Sequence, residues 1–405
     1  MNTVAAPHDR VLSGMRPTGR LHLGHYHGVL KNWVRLQHQH RCFFFAADWH
    51  ALTTDYEHPQ QVAEHTQDMI VDWLAAGVDP GSATLFVQSR VPEHAELHLL
   101  LSMITPLGWL ERVPTYKDQQ EQLRDKDLAT YGFLGYPLLQ GADILAYKAT
   151  LVPVGEDQVA HLELTREVAR RFNHLYGREV DFEARVQTAL RKLGRKQGQG
   201  TGDGGRGYEE RGASEAVAGE QGLIRGQANS RLGDSERLLG NLEGGGIIVL
   251  PEPQPLLTAT ARMPGLDGRK MSKSYGNAIG LREDPDAVAQ KLRTMPTDPA
   301  RVRRSDPGDP EKCPVWSLHQ VYSDDAQRAW VQEGCRSAAI GCLDCKKPLV
   351  DAVQAELSLF RERARPFEDD PGLVREIIAG GCEQAREQAR ETLDEVGQVI
   401  GLGFR

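Results

Sequence analysis

Strand and helix signals alternate along the first 176 residues, and that alternation restricts the fold more than any other feature. Short apolar runs at Val11 to Gly14, Cys42 to Ala47, Thr84 to Gln88 and Thr150 to Val154 predict strands. Between them, apolar residues recur at helical spacing, as in Leu23 to Gln37, Pro59 to Ala76, Glu93 to Leu110, Tyr136 to Tyr147 and Glu156 to Tyr176. This order implies an α/β fold with a parallel sheet covered on both faces. From about 191 to 246 the chain is rich in Gly, Arg, Glu and Gln and lacks a hydrophobic period. It predicts a partly disordered insertion. Structure resumes at Ile247 to Leu250. From about Leu281 onward the pattern is helical, ending in a helix from Cys382 to Ile400. The expected layout is 1–190 and 247–283 for an α/β domain, 191–246 for the insertion and 284–405 for a helical domain.

Two motifs flank the insertion. His22-Leu23-Gly24-His25 follows the turn Ser13 to Gly19 and opens a helix. A helix N-terminus offers unpaired N–H groups to phosphate, Gly24 allows close approach of a nucleotide ring, and two imidazoles can donate to developing charge. Lys270-Met271-Ser272-Lys273-Ser274 follows Gly265, Gly268 and Arg269. Two lysines bracketing small hydroxyl residues suit a mobile clamp on pyrophosphate. Either motif alone is weak, because paired surface histidines and lysine-rich loops are common. In this order, on either side of an α/β pattern, they are far more specific.

The pair resembles the two signatures of the class I aminoacyl-tRNA synthetases, with Leu23 in place of the usual isoleucine. That resemblance implies a Rossmann-type catalytic domain, a helical anticodon-binding domain, ATP and Mg²⁺, formation of an aminoacyl-AMP and transfer to tRNA. It also implies catalytic roles for His22, His25, Lys270 and Lys273.

Tyr136, Gln140 and Asp143 are spaced i, i+4, i+7 and share one helix face. Nearly the whole chain outside the insertion resembles the tryptophanyl members of the class. By position, the resemblance implies that Asp143 binds the indole nitrogen. Tyr136, Gln140 and Gln158 would hold the α-amino end, with Leu12, His50, Val152 and Val154 around the ring. Arg16, Pro17, Thr18, Gly24, His25, Gly155, Glu156 and Asp157 would meet ATP, together with Lys270, Met271, Ser272, Lys273 and Ser274. Relatives often carry glutamine where this chain has Arg16. The tyrosyl enzymes share the face; they place a second tyrosine where this chain has Leu12, and an apolar residue there suits an indole with its single donor. A nucleotidyltransferase of the same fold is the rival from another class, and the long helical region from Leu281 argues against it.

Four of the six cysteines fall in one segment, Cys313-x₂₁-Cys335-x₆-Cys342-x₂-Cys345. In a reducing compartment such a cluster reads as a metal site. It resembles an iron–sulfur motif of some tryptophanyl enzymes, implying a [4Fe–4S] cluster with Zn²⁺ as the alternative. The net charge of −8 argues against indiscriminate nucleic-acid coating, though Lys291, Arg293, Arg301, Arg303 and Arg304 could form a local tRNA patch. With no leader-like start and no apolar run long enough to span a bilayer, the cytoplasm is the expected compartment. The family implies a homodimer bound to tRNA.

Overall fold

The structure, a computed structural model, describes residues 9–113, 129–155, 159–177, 247–257 and 263–402. The glycine-rich insertion and the site candidates Glu156, Asp157 and Gln158 lie outside the described residues. Two compact units are distinguished, Met1–Thr165 with Pro253–Leu393, and Arg166–Glu252 with Asp394–Arg405.

The first unit is built on strands β1 (Arg10–Met15), β2 (Arg41–Ala46), β3 (Ala83–Val87), β4 (Leu151–Val154) and β5 (Gln254–Leu257). Their order is β3-β2-β1-β4-β5 and every pairing is parallel. Chain order reverses between β1 and β4. The carboxyl ends of those two strands therefore diverge into a crevice, the usual ligand position in such sheets.

Helices cross over between the strands. Short α1 (Leu23–His25) passes through a π-helical turn, Tyr26–Leu30, into α2 (Lys31–Leu36), where the sequence predicts one regular helix. Next come α3 (Asp48–Asp55) and α4 (Pro59–Ala76). Pro59 at the first turn and Gly77 at φ 101° bound α4 at the residues its periodicity predicts. The segment expected as one helix from Glu93 is two, α5 (Glu93–Ser102) and α6 (Leu107–Leu110). Pro106 explains the break, since proline restricts the residue before it and cannot donate to a preceding turn. Helix α7 (Tyr131–Ala146) carries the site face, and α8 (Val159–Tyr176) follows β4.

Strand β2 divides the core. Its residues alternate between faces. Phe44 stacks on Trp33 at 4.2 Å between centroids, with Trp73 at the edge of that indole. Phe43 and Phe45 face the other way, onto Tyr147 and onto Phe86 with His94. Both faces are buried, as a parallel sheet requires.

After β5 the described chain is helical: α9 (Pro285–Thr294), α10 (Pro314–Tyr322), α11 (Asp325–Arg336), α12 (Cys342–Asp369) and α13 (Pro371–Val399). Helix α12 packs on α4 and α9. Polar contacts tie it to the first motif's helix. Glu356 accepts from Tyr322 Oη at 2.7 Å and lies 3.0 Å from His27 Nε2 and 3.2 Å from Lys31 Nζ. Burial would raise its pKa, but His27, Tyr322 and Lys31 hold it down to about 2. The expected basic patch is not a free cluster. Arg301 is buried and donates to the Ile340 and Arg304 carbonyls, and Lys291 is paired with Glu283 at 2.5 Å. Among the described residues no helix is long and apolar enough to cross a membrane.

Candidate active site

The first motif is a reciprocal helix cap. The Gly24 N–H donates to His22 Nδ1 at 3.1 Å, and the His22 N–H donates to His25 Nδ1 at 3.2 Å. Both Nδ1 atoms are therefore acceptors, so each neutral ring carries its proton on Nε2. Burial and Lys273 push His22 down to about 4. Burial, His22, Lys273 and Lys270 push His25 down to about 3. At neutral pH the helix start presents two uncharged imidazole N–H donors.

The second motif converges on the first. Leu23 N–H donates to the Ile279 carbonyl at 3.0 Å, Leu281 N–H donates to the Leu21 carbonyl at 3.1 Å, and His22 bridges Gly280. Gly24 is required by close approach: a methyl there would stand 2.8 Å from the His22 ring and 3.5 Å from Met271 Cβ. Lys273 Nζ reaches over Gly19, 3.1 Å from where a Cβ would be. Partial burial lowers its pKa to about 8, against the pull of Asp72. Asn277 secures the loop, accepting from Ser272 N–H at 2.8 Å and donating to the Lys270 carbonyl at 3.2 Å. Met271 is buried beneath it, whereas Lys270 is exposed.

Two cavities adjoin these elements. One, of about 430 Å³, is lined by His22 and Lys273 and by a network in which Arg282 pairs with Asp72 at 2.6 Å and with Glu368 at 2.5 Å. The other, of about 370 Å³, sits in the crevice between β1 and β4. It brings together Leu12, Arg16, Thr18, His25, His50, Tyr136, Gln140, Asp143, Val152 and Val154, most of the residues named from the sequence. Pro17, Gly24, Gly155, Lys270, Met271 and Ser272 are not among its lining residues. Arg16 donates to Thr54 Oγ1 and faces Asp55; burial lowers its pKa, and Asp55 opposes that.

Asp143 lies at the base of the crevice cavity, 1% exposed. His50 Nε2 is 2.9 Å from Oδ2, His94 Nδ1 is 2.5 Å from Oδ1, and Gln88 Nε2 donates to both oxygens at 2.8 and 3.0 Å. Burial would raise the pKa of this carboxyl, but His50 and His94 reverse that and hold it well below the usual carboxylate range. Gln140 Oε1 lies 3.2 Å from His161 Nδ1. Gln88, His94 and His161 are not among the candidates drawn from the sequence. Their signal is a polar side chain in an apolar setting: Gln88 and His94 are fully buried at the end of β3 and the start of α5.

The four clustered cysteines come from the cap of α10 (Cys313), the end of α11 (Cys335) and the first turn of α12 (Cys342 and Cys345). The expected metal centre is not shown: among the described residues no group of three or more His, Cys, Asp or Glu that could hold a metal ion is found. Three separate elements carry the four thiols. Their proximity is nevertheless electrostatic, because burial and then the other three thiols push Cys345 up to about 12.

The sequence profile for class I tRNA synthetases (W and Y) matches residues 6–200 and 231–358. The chain is 63% identical over 396 residues to the tryptophan–tRNA ligase of Ralstonia nicotianae, covering 98% of this chain and 99% of that one. It is 44% identical to the tryptophan–tRNA ligase of Thermotoga maritima, covering 98% and 100%. In three dimensions it resembles the tryptophanyl-tRNA synthetase of Campylobacter jejuni complexed with ADP and tryptophan, with a TM-score of 0.74, 26% identity and coverage of 97% and 100%. Fold, convergent motifs and sequence thus agree that the chain belongs to the class I tRNA synthetases of the tryptophan and tyrosine family, on the tryptophan–tRNA ligase side of it.

Proposed function

We propose that the crevice activates L-tryptophan with ATP and passes it to the 3′ end of tRNA(Trp). One observation carries this reading: the capped imidazole helix start and the Lys273 loop meet beside a cavity floored by a buried, ionised Asp143. A tryptophan carboxylate oxygen attacks the α-phosphorus of ATP, and the bond to the pyrophosphate oxygen breaks. A tRNA ribose hydroxyl then attacks the carbonyl carbon and releases AMP. Such displacements need positioning and charge stabilisation more than covalent help.

His22 and His25 would donate Nε2–H to phosphate oxygens as charge accumulates. Lys273, with Lys270 and the Ser272 and Ser274 segment, would clamp the departing pyrophosphate. Mg²⁺ enters with the nucleotide. Arg16, Pro17, Thr18, Gly24 and Gly155 would border the nucleotide. Asp143 would accept the indole N–H, Tyr136 and Gln140 would hold the α-amino end, and Leu12, Val152, Val154 and His50 would enclose the ring. Leu12 supports tryptophan over tyrosine, since it is buried, lines the cavity and offers a phenol hydroxyl no partner. Amino-acid-dependent pyrophosphate exchange across all twenty substrates tests this. Exchange with tryptophan is expected; exchange with tyrosine alone would refute it.

Three finer readings join this one. Residues 284–405 act as the helical anticodon-binding domain. Cys313, Cys335, Cys342 and Cys345 hold a [4Fe–4S] cluster, with Zn²⁺ the alternative; the donor set suits either metal. In support, the thiols influence one another, and Arg301 and His319 lie 3.8 and 3.4 Å from Cys335 and Cys345 sulfurs. Bound there, the group would cross-link three helices. Anaerobic protein should contain iron and absorb broadly near ~400 nm; zinc without iron would select the alternative. The chain also works as a homodimer, supported by Leu99, Met103, Leu107 and Tyr131, which are 55–72% exposed on α5, the turn that ends it, α6 and α7.

A further inference from the structure

His94 has no access to the cavity. It is 0% exposed and sits behind Asp143, between that carboxylate and Tyr147, with Nδ1 2.5 Å from Asp143 Oδ1 and Nε2 2.7 Å from Tyr147 Oη. An ionised carboxylate only accepts, so the proton on this edge of the ring belongs to Nδ1. Tyr147 is itself fully buried, and burial with Asp143 nearby raises its pKa well above the ordinary value, so it stays a phenol. The ring is therefore gripped at both nitrogens. Its backbone is fixed as well: Glu93, the preceding residue, accepts from Arg390 at 2.8 Å and from Arg386 at 3.4 Å on α13.

We propose that His94 is a positioning residue that sets the aim and ionisation of Asp143, and through it the affinity of the site for the indole N–H. This rests on the tryptophan reading of the crevice given above. The carboxylate has to present one free lone pair to the ligand while its other acceptor sites are occupied. Gln88 spans both oxygens and His50 takes Oδ2 from the cavity side. Among the described residues His94 and Gln88 both meet Oδ1 from outside the cavity, and His94 is the one that meets Oδ1 alone, so it opposes rotation of the carboxylate about its terminal bond. Without that donor the group turns more freely and takes up a proton more readily, and a protonated carboxyl is a poorer acceptor. The ionisable groups facing Asp143 are His50 from α3, His94 and His98 from α5, and Tyr147 just after α7.

Two isosteres separate positioning from packing. In His94→Asn the side-chain amide falls where Nδ1 was, keeping the donor to Asp143 and losing Tyr147. In His94→Gln the amide falls where Nε2 was, keeping Tyr147 and losing Asp143. Pyrophosphate exchange by the full chain should show a KM for tryptophan within about threefold of wild type for Asn. For Gln it should rise about tenfold or more, as loss of a buried charged hydrogen bond implies, with KM for ATP unchanged. The acid limb of kcat/KM for tryptophan should also move to higher pH in the Gln variant alone. Equal constants in the two variants, or a better Gln than Asn, would overturn the proposal. Absence of tryptophan-dependent exchange in the wild-type protein would instead refute the underlying reading of the site.

Discussion

The surroundings of Asp143, proposed to hold the amino acid, and those of Lys273, proposed to hold the phosphates, are built on opposite plans. Around Asp143, side chains meet side chains: His50, Gln88 and His94 converge on one buried carboxylate from three elements. Around Lys273, backbone meets backbone. Strand-like hydrogen bonds at Leu21, Leu23, Ile279 and Leu281 and the Asn277 clasp fix the loop, while the ammonium of Lys273 extends over a glycine. The first plan makes an assembled acceptor whose loss disturbs the core. The second leaves cationic groups adjustable on a fixed frame, suited to charge that appears only during reaction.

The sharpest way to break this contrast is to remove each charge and compare rate with stability. Lys273→Ala should slow pyrophosphate exchange about 10²–10³-fold, the usual cost of one transition-state donor, with a melting temperature near wild type. Asp143→Ala should destabilise the fold by about 3 kcal/mol in urea titration, because His50, His94 and Gln88 lose a buried partner. Matching losses of stability in both would erase the distinction.

How much of this was legible follows the same division. The strands and α4 are set by local signals, namely apolar runs, a first-turn proline and a closing glycine. The π-helical turn at Tyr26–Leu30 carries no such signal, and the break before α6 depends on Pro106 interrupting a pattern that otherwise stays periodic. Both motifs could be found because their chemistry is contiguous in the chain. Asp143 could be placed on a face with Tyr136 and Gln140, but not its partners: Gln88 and His94 lie 55 and 49 residues away, and only the β3 to α5 crossover delivers them. The cysteine spacing reads as a closed metal site. Among the described residues no metal-holding group is found there, although the other three thiols act electrostatically on Cys345.

Proton titration sharpens the contrast further. Free Lys273 has a pKa lowered to about 8, so its charge disappears as pH rises through that value. Accordingly kcat/KM for ATP, which reports the free enzyme, should fall about tenfold per unit above roughly pH 8. Lys273→Arg should remove that limb, because guanidinium stays charged. A smaller effect concerns His22 and His25, whose folded pKa values lie below the unfolded value of about 6.5. The unfolded chain binds these protons first, so the stability they contribute is complete above about pH 6.5 and lost as pH falls toward about 4. Between pH 7 and 5 the loss should be about 2 kcal/mol for each histidine, and His25→Ala should flatten that slope.

A double-mutant cycle tests most directly whether the imidazole helix start and the lysine loop act on one triphosphate. His25→Ala, Lys273→Ala and the double variant are compared by kcat/KM for ATP in tryptophan-dependent exchange. Groups serving one developing charge are coupled, and the cycle should give an interaction of about 1 kcal/mol or more. Additivity within about 0.3 kcal/mol would show that the two motifs act independently.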